Sequence, residues 1–422
     1  MTDDMDATES VEVLVVGAGQ AGVAMSEHLT DLGIPHLVLE RGRIAERWRS
    51  ERWDSLVTNG PVWHDRFPNL EFPGLGPDEF APKEQVAQYF VQYAERYNAP
   101  IRCGVDVTSV RRNSEGPGFR VETSDGVIAA RYVVAATGAF QHPVIPSIVP
   151  SDAPVTQLHS SSYKNPGQLP AGAVLVIGAG ASGVQIASEL LASGRQVFLS
   201  VGEHDRPPRR YRERDFVWWL GVLGLWDLQT PPQGAKHVTI AVSGADGGHT
   251  IDFRNLAAAG MTLVGHTTSY TDGTMHFAAD LEKNIVAGDT NYLAVLRQAD
   301  AHVERNGLDL PLELEAHELA PLPAGITDPL VELNLEAAGV TSIIWATGFT
   351  SDYHWLDVDA FDENARPQHR RGVSSEQGVY FLGLPWLSRR GSSFIWGTWH
   401  DAKYIADHIA IQRTYAAYRP SQ

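Results

Sequence analysis

The chain has 422 residues, 43% of them apolar and 20% charged, enough for two or three domains with proper cores. Its formal charge of −18 argues against nucleic acid and anionic membrane surfaces as partners. Cys103 is the only cysteine, which excludes disulfide-reductase chemistry, because that needs a redox-active pair.

The first predicted strand, Val11 to Val16, runs into Gly17-Ala-Gly-Gln-Ala-Gly22 and then an Ala-rich helix ending at Gly33. Gly17 makes the tight turn out of the strand, Gly19 lets the backbone approach a pyrophosphate, and Gly22 lets helix and strand pack closely. Gln20 and Ala21 open the helix, whose bare N–H groups face the phosphates. The next strand, Ile34 to Leu39, ends at Glu40, a carboxylate suited to ribose hydroxyls; Arg41 follows it directly. This first site is assigned to FAD.

A loop rich in Trp, Pro and Arg, 41–83, carries Trp48 and Asn59. A helix follows, with Val86, Tyr89, Phe90, Tyr93 and Ala94 at helical spacing. Cys103 reads as a small core residue in a strand from Ile101 to Val110. Alternating strands come next, around Val105, Phe119 and Val127, with Val107 placed at the flavin. The run Tyr132-Val-Val-Ala-Ala-Thr-Gly138 reads as a buried strand ending in a turn, which sets Thr137 and Gly138 beside the first nucleotide.

The fingerprint then recurs. A strand from Ala173 to Ile177 precedes Gly178-Ala-Gly-Ala-Ser-Gly183, with Gly180, Ala181 and Ser182 in the turn and helix start. Gly194 lies 16 positions after Gly178, as Gly33 does after Gly17, so the copies align without a gap. The position matching Glu40 is Val201. After it, Arg206-Pro-Pro-Arg-Arg-Tyr-Arg-Glu-Arg-Asp215 is basic within an acidic chain. Guanidinium forks suit a 2′-phosphate, so Arg206, Arg209 and Arg210 are assigned to NADPH. A solvated basic loop is the other reading, and Glu203 would serve a ribose and admit NADH. Two dinucleotides on one chain imply hydride transfer from a nicotinamide to a flavin. Phe216 to Trp226 is the most apolar stretch, read as a lid or substrate channel, or as packing between domains.

A run Ile343-Ile-Trp-Ala-Thr347-Gly348 repeats the earlier Thr-Gly turn, and Gly378-Val-Tyr-Phe-Leu-Gly383 reads as a strand ending at the FAD. Arg389 to Trp396 is placed at the active site without a role. A helix from Asp401 to Ile409 presents its N-terminus to the flavin. The layout is an α/β fold with two Rossmann-like dinucleotide-binding domains. An NADPH domain, 161–330, is inserted into a discontinuous FAD domain, 1–160 and 331–422. No His, Cys and carboxylate set has metal-ligand spacing, so no metal is expected, and His64, His142 and His400 read as structural. The acidic start, Met1 to Asp6, has no apolar h-region and no run approaches a membrane span, so a cytoplasmic location is expected.

These motifs resemble the class B flavoprotein monooxygenases of the flavin-containing type, over nearly the whole chain. The resemblance rests on both glycine motifs, on Ala136-Thr-Gly138 and Ala346-Thr-Gly348, and on Thr137-Gly-Ala-Phe-Gln-His-Pro-Val-Ile-Pro146. It also rests on His159-Ser-Ser-Ser-Tyr163-Lys164, similar to the second half of the family's linker fingerprint. The first half, a Phe-x-Gly, is absent; Ala153 and Val155 stand there.

The resemblance implies a segment Trp53 to Pro61 over the flavin, with Asn59 facing flavin and oxygen as the catalytic side chain. Asn-Gly-Pro is also plain turn chemistry. Trp48 resembles the tryptophan of a Gly-Gly-x-Trp element, with Ala45 and Glu46 in place of the glycines, and simple packing is its other reading. The implied activity uses FAD and NADPH to form a C4a-(hydro)peroxyflavin that oxygenates a small apolar N- or S-containing substrate with molecular oxygen. Baeyer–Villiger or ring-carbon oxygenation, and an NAD(P)H-dependent flavin oxidoreductase or oxidase, are the alternatives. Class B relatives are often homodimers; no interface signal is legible here.

Overall fold

The computed structural model describes residues 9–114, 116–229 and 240–419. The acidic start, 1–8, lies outside the described residues. Among them, no helix is long and apolar enough to cross a membrane.

The first sheet grows outward from β1 (Glu9–Val16), whose Val13, Leu14 and Val15 are fully buried. Each such side chain contributes about 1.5–3 kcal/mol by leaving water. On one side lie β2 (His36–Glu40) and β3 (Ile101–Cys103), both parallel. On the other, β6 (Gly126–Ala135) runs parallel to β1, and the hairpin of β4 (Val107–Arg112) and β5 (Phe119–Thr123) hangs from it. Helix α1 (Gln20–Asp31) makes the crossover from β1 to the parallel β2. Helix α2 (Lys83–Arg96) buries Val86, Tyr89, Phe90, Tyr93 and Ala94, the face its spacing predicts. The predicted strand from Ile101 to Val110 is broken: Gly104 turns at φ +77°, and Cys103 is exposed rather than in the core.

The second sheet lies within this sequence. It comprises β7 (Thr156–His159), β8 (Ala173–Ile177), β9 (Val197–Ser200), β10 (Thr262–Val264) and β11 (Val340–Trp345), in the order β10-β9-β8-β11-β7, all parallel. Helix α3 (Ala181–Ala192) joins β8 to β9. Thus β7 and β11 belong to this sheet, and the expected divisions at 160/161 and 330/331 cut across it. Ile343 to Trp345 pairs with Leu175 to Ile177, not with the first sheet. A strand ending in Ala-Thr-Gly fits either sheet; only its pairing partner decides.

The chain then returns to the first sheet through β12 (His369–Arg370), β13 (Val373–Ser374) and β14 (Val379–Phe381), the last parallel to β6. Before the final helix come α4 (Phe216–Val222) and the long α5 (Leu281–Asn306) on the inserted unit. The final helix, α6 (Ile395–Ala417), packs on α1 and starts six residues before the predicted Asp401. Buried Glu27 on α1 fastens that face. Its oxygens accept from Tyr93 Oη at 2.7 Å, Trp399 Nε1 at 2.6 Å and Asn69 Nδ2 at 3.0 Å.

Candidate active site

The carboxyl end of β1 opens onto a cavity of about 470 Å³. Its walls gather Gly17, Gly19, Gln20, Ala21, Glu40, Arg41, Trp48, Val107, Thr137, Gly138 and Gly383 from six places in the chain. Gly22 lies beneath: a Cβ there would stand 1.8 Å from the Gly17 carbonyl oxygen. A Cβ on Gly17, at φ +104°, would meet the Ala136 oxygen at 2.8 Å, whereas one on Gly19 would meet nothing within 4 Å.

These features fit a dinucleotide. Helix α1 begins at Gly19 with no side-chain cap and no acid in its first turn, so its N–H groups are open to a pyrophosphate. Glu40 accepts from the Ala18 and Gly42 N–H groups, each at 2.8 Å, which fixes the carboxylate and uses two of its roughly four acceptor directions. The rest can meet ribose hydroxyls. Arg52 also lines the cavity, with its guanidinium 5.0 Å from the Phe140 ring and 5.9 Å from that of Trp48. No spacing rule in the sequence singles out Arg52 or Phe140; their approach is purely tertiary.

The second fingerprint repeats the geometry. Gly180 starts α3 without a side-chain cap, and Ala181 and Ser182 form its first turn. A Cβ on Gly183 would lie 1.8 Å from the Gly178 oxygen, and one on Gly178 would lie 2.5 Å from that of Ala346. Ala346, Thr347 and Gly348 therefore stand to this turn as Ala136, Thr137 and Gly138 do to the first. Buried His159 sets that turn: its Nε2–H donates to the Gly348 oxygen at 3.0 Å, and its Nδ1 accepts from Ser161. Burial pulls its pKa below the ordinary range, consistent with a neutral ring.

Two of the three arginines assigned to a 2′-phosphate are turned away from one. Arg206 and Arg209 are both 2% exposed. Arg206 pairs with Asp289 at 2.7 Å and lies over the Tyr292 ring; Arg209 forks onto Asp215. Their charges are spent inside the fold, and neither faces a ligand as free cation. Arg210 is exposed, and among the described residues its guanidinium is given one hydrogen bond, at 3.4 Å to the Gly247 oxygen.

Between the halves runs a seam. The Asn59 side-chain oxygen accepts from Gln185 Nε2 on α3 at 2.8 Å, and its carbonyl accepts from Arg209 at 2.6 Å. Asn59 is absent from the lining of the first cavity and is instead fastened to the helix of the second fingerprint. Tyr163 and Ser55 both donate to Glu189 on α3, at 2.6 and 2.7 Å. Lys164 donates to the Ser50 and Arg52 carbonyls. The His-Ser-Ser-Ser-Tyr-Lys segment thus fastens the inserted unit to the loop beside the first cavity.

A second cavity of about 490 Å³ opens at this seam. It is lined by Trp63, His64, Trp218, Trp226 and Trp396, with the Asp227–Arg389 ion pair, at 2.6 Å, among its walls. The His64 ring stacks on Trp226 at 5.4 Å. The apolar stretch therefore divides: Trp219 is buried in a cluster with Leu296 and Ala299 of α5, while Trp218 and Trp226 face the cavity. The 389–396 segment touches both cavities, through Ser393 on one side and Arg389 and Trp396 on the other.

Two uncapped glycine turns, one after β1 of the first sheet and one after β8 of the second, are the architecture of a flavoprotein with two dinucleotide-binding domains. Residues 14–220 match the pyridine nucleotide-disulphide oxidoreductase family model. The chain is 33% identical to an uncharacterized CzcO-like oxidoreductase of Geobacillus kaustophilus, over 94% of this chain and 98% of that one. It is 30% identical to the probable indole-3-pyruvate monooxygenase YUCCA4 of Arabidopsis thaliana, over 94% and 90%. The fold is that of a flavin-containing monooxygenase from Stenotrophomonas maltophilia, with TM-score 0.66 and 19% identity over 97% and 100% of the two chains. The chain belongs to the class B flavoprotein monooxygenases, enzymes that use FAD and NADPH.

Proposed function

We propose that this enzyme oxygenates a small apolar substrate at a soft nitrogen or sulfur, with FAD in the first cavity and the nicotinamide cofactor on the second fingerprint. When bound, the flavin accepts a hydride and activates oxygen. The chain's own residues bind, orient and exclude water. Gly17, Gly19 and Gly22 shape the turn, the α1 N-terminus meets the pyrophosphate, and Glu40 meets the ribose. Gly178, Gly180 and Gly183 do the same for the second nucleotide.

The observation that carries this reading is the seam at Asn59, whose two oxygens are held by Gln185 and Arg209 of the other domain. That bonding holds the Asn59 amide against the helix of the second fingerprint, from where Asn59 would orient the reacting groups. The cavity at the same seam is mainly aromatic, with His64 and an internally neutralised ion pair as its polar groups, which favours an uncharged substrate.

With thioanisole or a tertiary amine present, NADPH consumption is expected to yield sulfoxide or N-oxide. Lactone from cyclohexanone, without sulfoxide, would move the reading to Baeyer–Villiger chemistry. Stoichiometric hydrogen peroxide with every substrate would move it to an oxidase. Gln185→Leu frees Asn59 without touching either fingerprint glycine. It is expected to lower product formed per NADPH about tenfold, on the order of 1.4 kcal/mol of lost positioning, while flavin content is unchanged. Unchanged coupling in that variant would remove Asn59 from the reaction.

A further inference from the structure

A thioether can be oxygenated as it stands, but an aliphatic amine in neutral water is an ammonium with no lone pair to offer. N-oxygenation therefore needs a group that takes the ammonium proton. The wall of the seam cavity carries such a group, built from two neighbouring residues. His64 Nδ1–H donates to Asp65 Oδ1 at 2.8 Å, and the Gly60 N–H donates to Asp65 Oδ2 at 3.0 Å. A carboxylate only accepts, so this contact puts the proton of the neutral ring on Nδ1 and its lone pair on Nε2. Asp65 is buried, and His64 is its only ion-pair partner among the described residues. Three tryptophans hold the ring in place: Trp226 stacked on it at 5.4 Å, with Trp63 at 5.4 Å and Trp396 at 5.2 Å meeting it edge to face. Nε2 has no hydrogen bond among the described residues, and it is the polar atom this ring offers to the cavity it lines. The other ionic groups of that wall are taken: Arg389 is a cation, and Asp227 is paired with it at 2.6 Å. They offer an ammonium no free counter-charge.

We propose that His64 is a catalytic base for amine substrates, taking the ammonium proton on Nε2 while Asp65 steadies the imidazolium that forms. This rests on the seam cavity being the substrate chamber of an oxygenase, as proposed above. The ammonium N–H bond breaks, its electron pair stays on the substrate nitrogen as the lone pair to be oxygenated, and a new N–H bond forms at Nε2. The protonated His64 and the Asp65 carboxylate are then a neutral pair, and the amine is held uncharged. The imidazolium returns the proton to water when the product leaves. An imidazole changes charge between pH 5 and 8, which suits it to give and take this proton near neutrality.

The test compares three substrates on the FAD-loaded enzyme: N,N-dimethylbenzylamine, an ammonium at pH 7; N,N-dimethylaniline, a free base at that pH; and thioanisole, which has no proton to lose. In His64→Gln, kcat/KM for the benzylamine at pH 7 is expected to fall about tenfold further than for the other two, whose shared loss measures altered packing. Raising the pH through the benzylamine's own pKa should close that gap, because water then supplies the free base. Besides Asp65, the charged or titratable groups around the ring are Arg66 next in the chain, Asp227 and Arg389 in the wall, Arg209 within the field of Asp65, and His400 against Trp396. Their titration acts on all three substrates and cancels in the ratio. Asp65→Asn keeps the ring but removes the counter-charge, and should open a gap of the same kind, about threefold or more. Flavin content shows that each variant is folded. Equal losses for the three substrates in both variants, or a gap that persists at high pH, overturns the role of His64. A wild type that oxygenates thioanisole but not N,N-dimethylbenzylamine also overturns it and leaves the oxygenase reading standing. Neither N-oxide nor sulfoxide from the wild type overturns both.

Discussion

Gly22→Ala is expected to give a protein that purifies without flavin. The added Cβ would stand 1.8 Å from the Gly17 oxygen, an atom of backbone that cannot swing aside as a side-chain tip can. Relief requires α1 to move off β1, and that movement displaces the N–H groups and the Gly19 turn together. A shift of about an ångström in an uncapped helix end removes the charge-assisted bonds that hold a pyrophosphate, each worth about 1.5–3 kcal/mol. FAD affinity should fall by more than a hundredfold, read as the ratio of bound flavin to protein. Gly183→Ala meets the same 1.8 Å contact in the other half. That variant should stay yellow, yet its flavin should be reduced by NADPH or NADH only at concentrations raised at least a hundredfold. If both variants lost flavin equally, the separate assignment of the two turns would fail.

Asp289→Ala is expected to cost about 3–5 kcal/mol of stability, because it leaves two guanidinium groups buried without a counter-charge. Asp289 accepts from Arg206 at 2.7 Å and from Arg254 at 2.6 Å and 3.1 Å. The thermal midpoint should drop by about 10 °C. Burial alone would raise the Asp289 carboxyl, but hydrogen bonds from Arg254 and Arg206 outweigh it and hold the pKa below the usual range. A folded-state pKa below the unfolded one contributes stability above about pH 4, lost as the pH falls through the folded value. The wild type and the variant should therefore differ fully at pH 7 and converge under acid. A difference that stayed constant from pH 7 down to 3 would contradict the ion-pair account.

The parts of this fold that were legible are those whose signal is local. A valine run, three spaced glycines and an Ala-rich helix specify a turn wherever they fall, and both turns formed at Gly17 and Gly178. The helix over Val86 to Ala94 was likewise written in its spacing. What failed depends on partners remote in sequence. Arg206 looked like a surface cation because nothing nearby in the sequence announces Asp289, 83 positions away. The strand at Ile343 carries the same pattern whichever sheet it joins. The last helix was placed late because Gly397 and a cluster of tryptophans are weak helix formers, and packing on α1 overrides them. Gln185, which holds Asn59, sits among core residues on α3, and no residue-type rule distinguishes it there.

The two connections between the halves are not independent threads. His142–Pro143 on the outgoing chain pairs antiparallel with Phe349–Thr350 on the returning one, and the Val144 N–H donates to the Gly348 carbonyl. The outgoing and the returning chain are thereby joined to each other beside the Gly348 turn, so that neither connection shifts without the other. A substitution in either connection is therefore felt in both, at the turn that Ala346, Thr347 and Gly348 make against the second fingerprint.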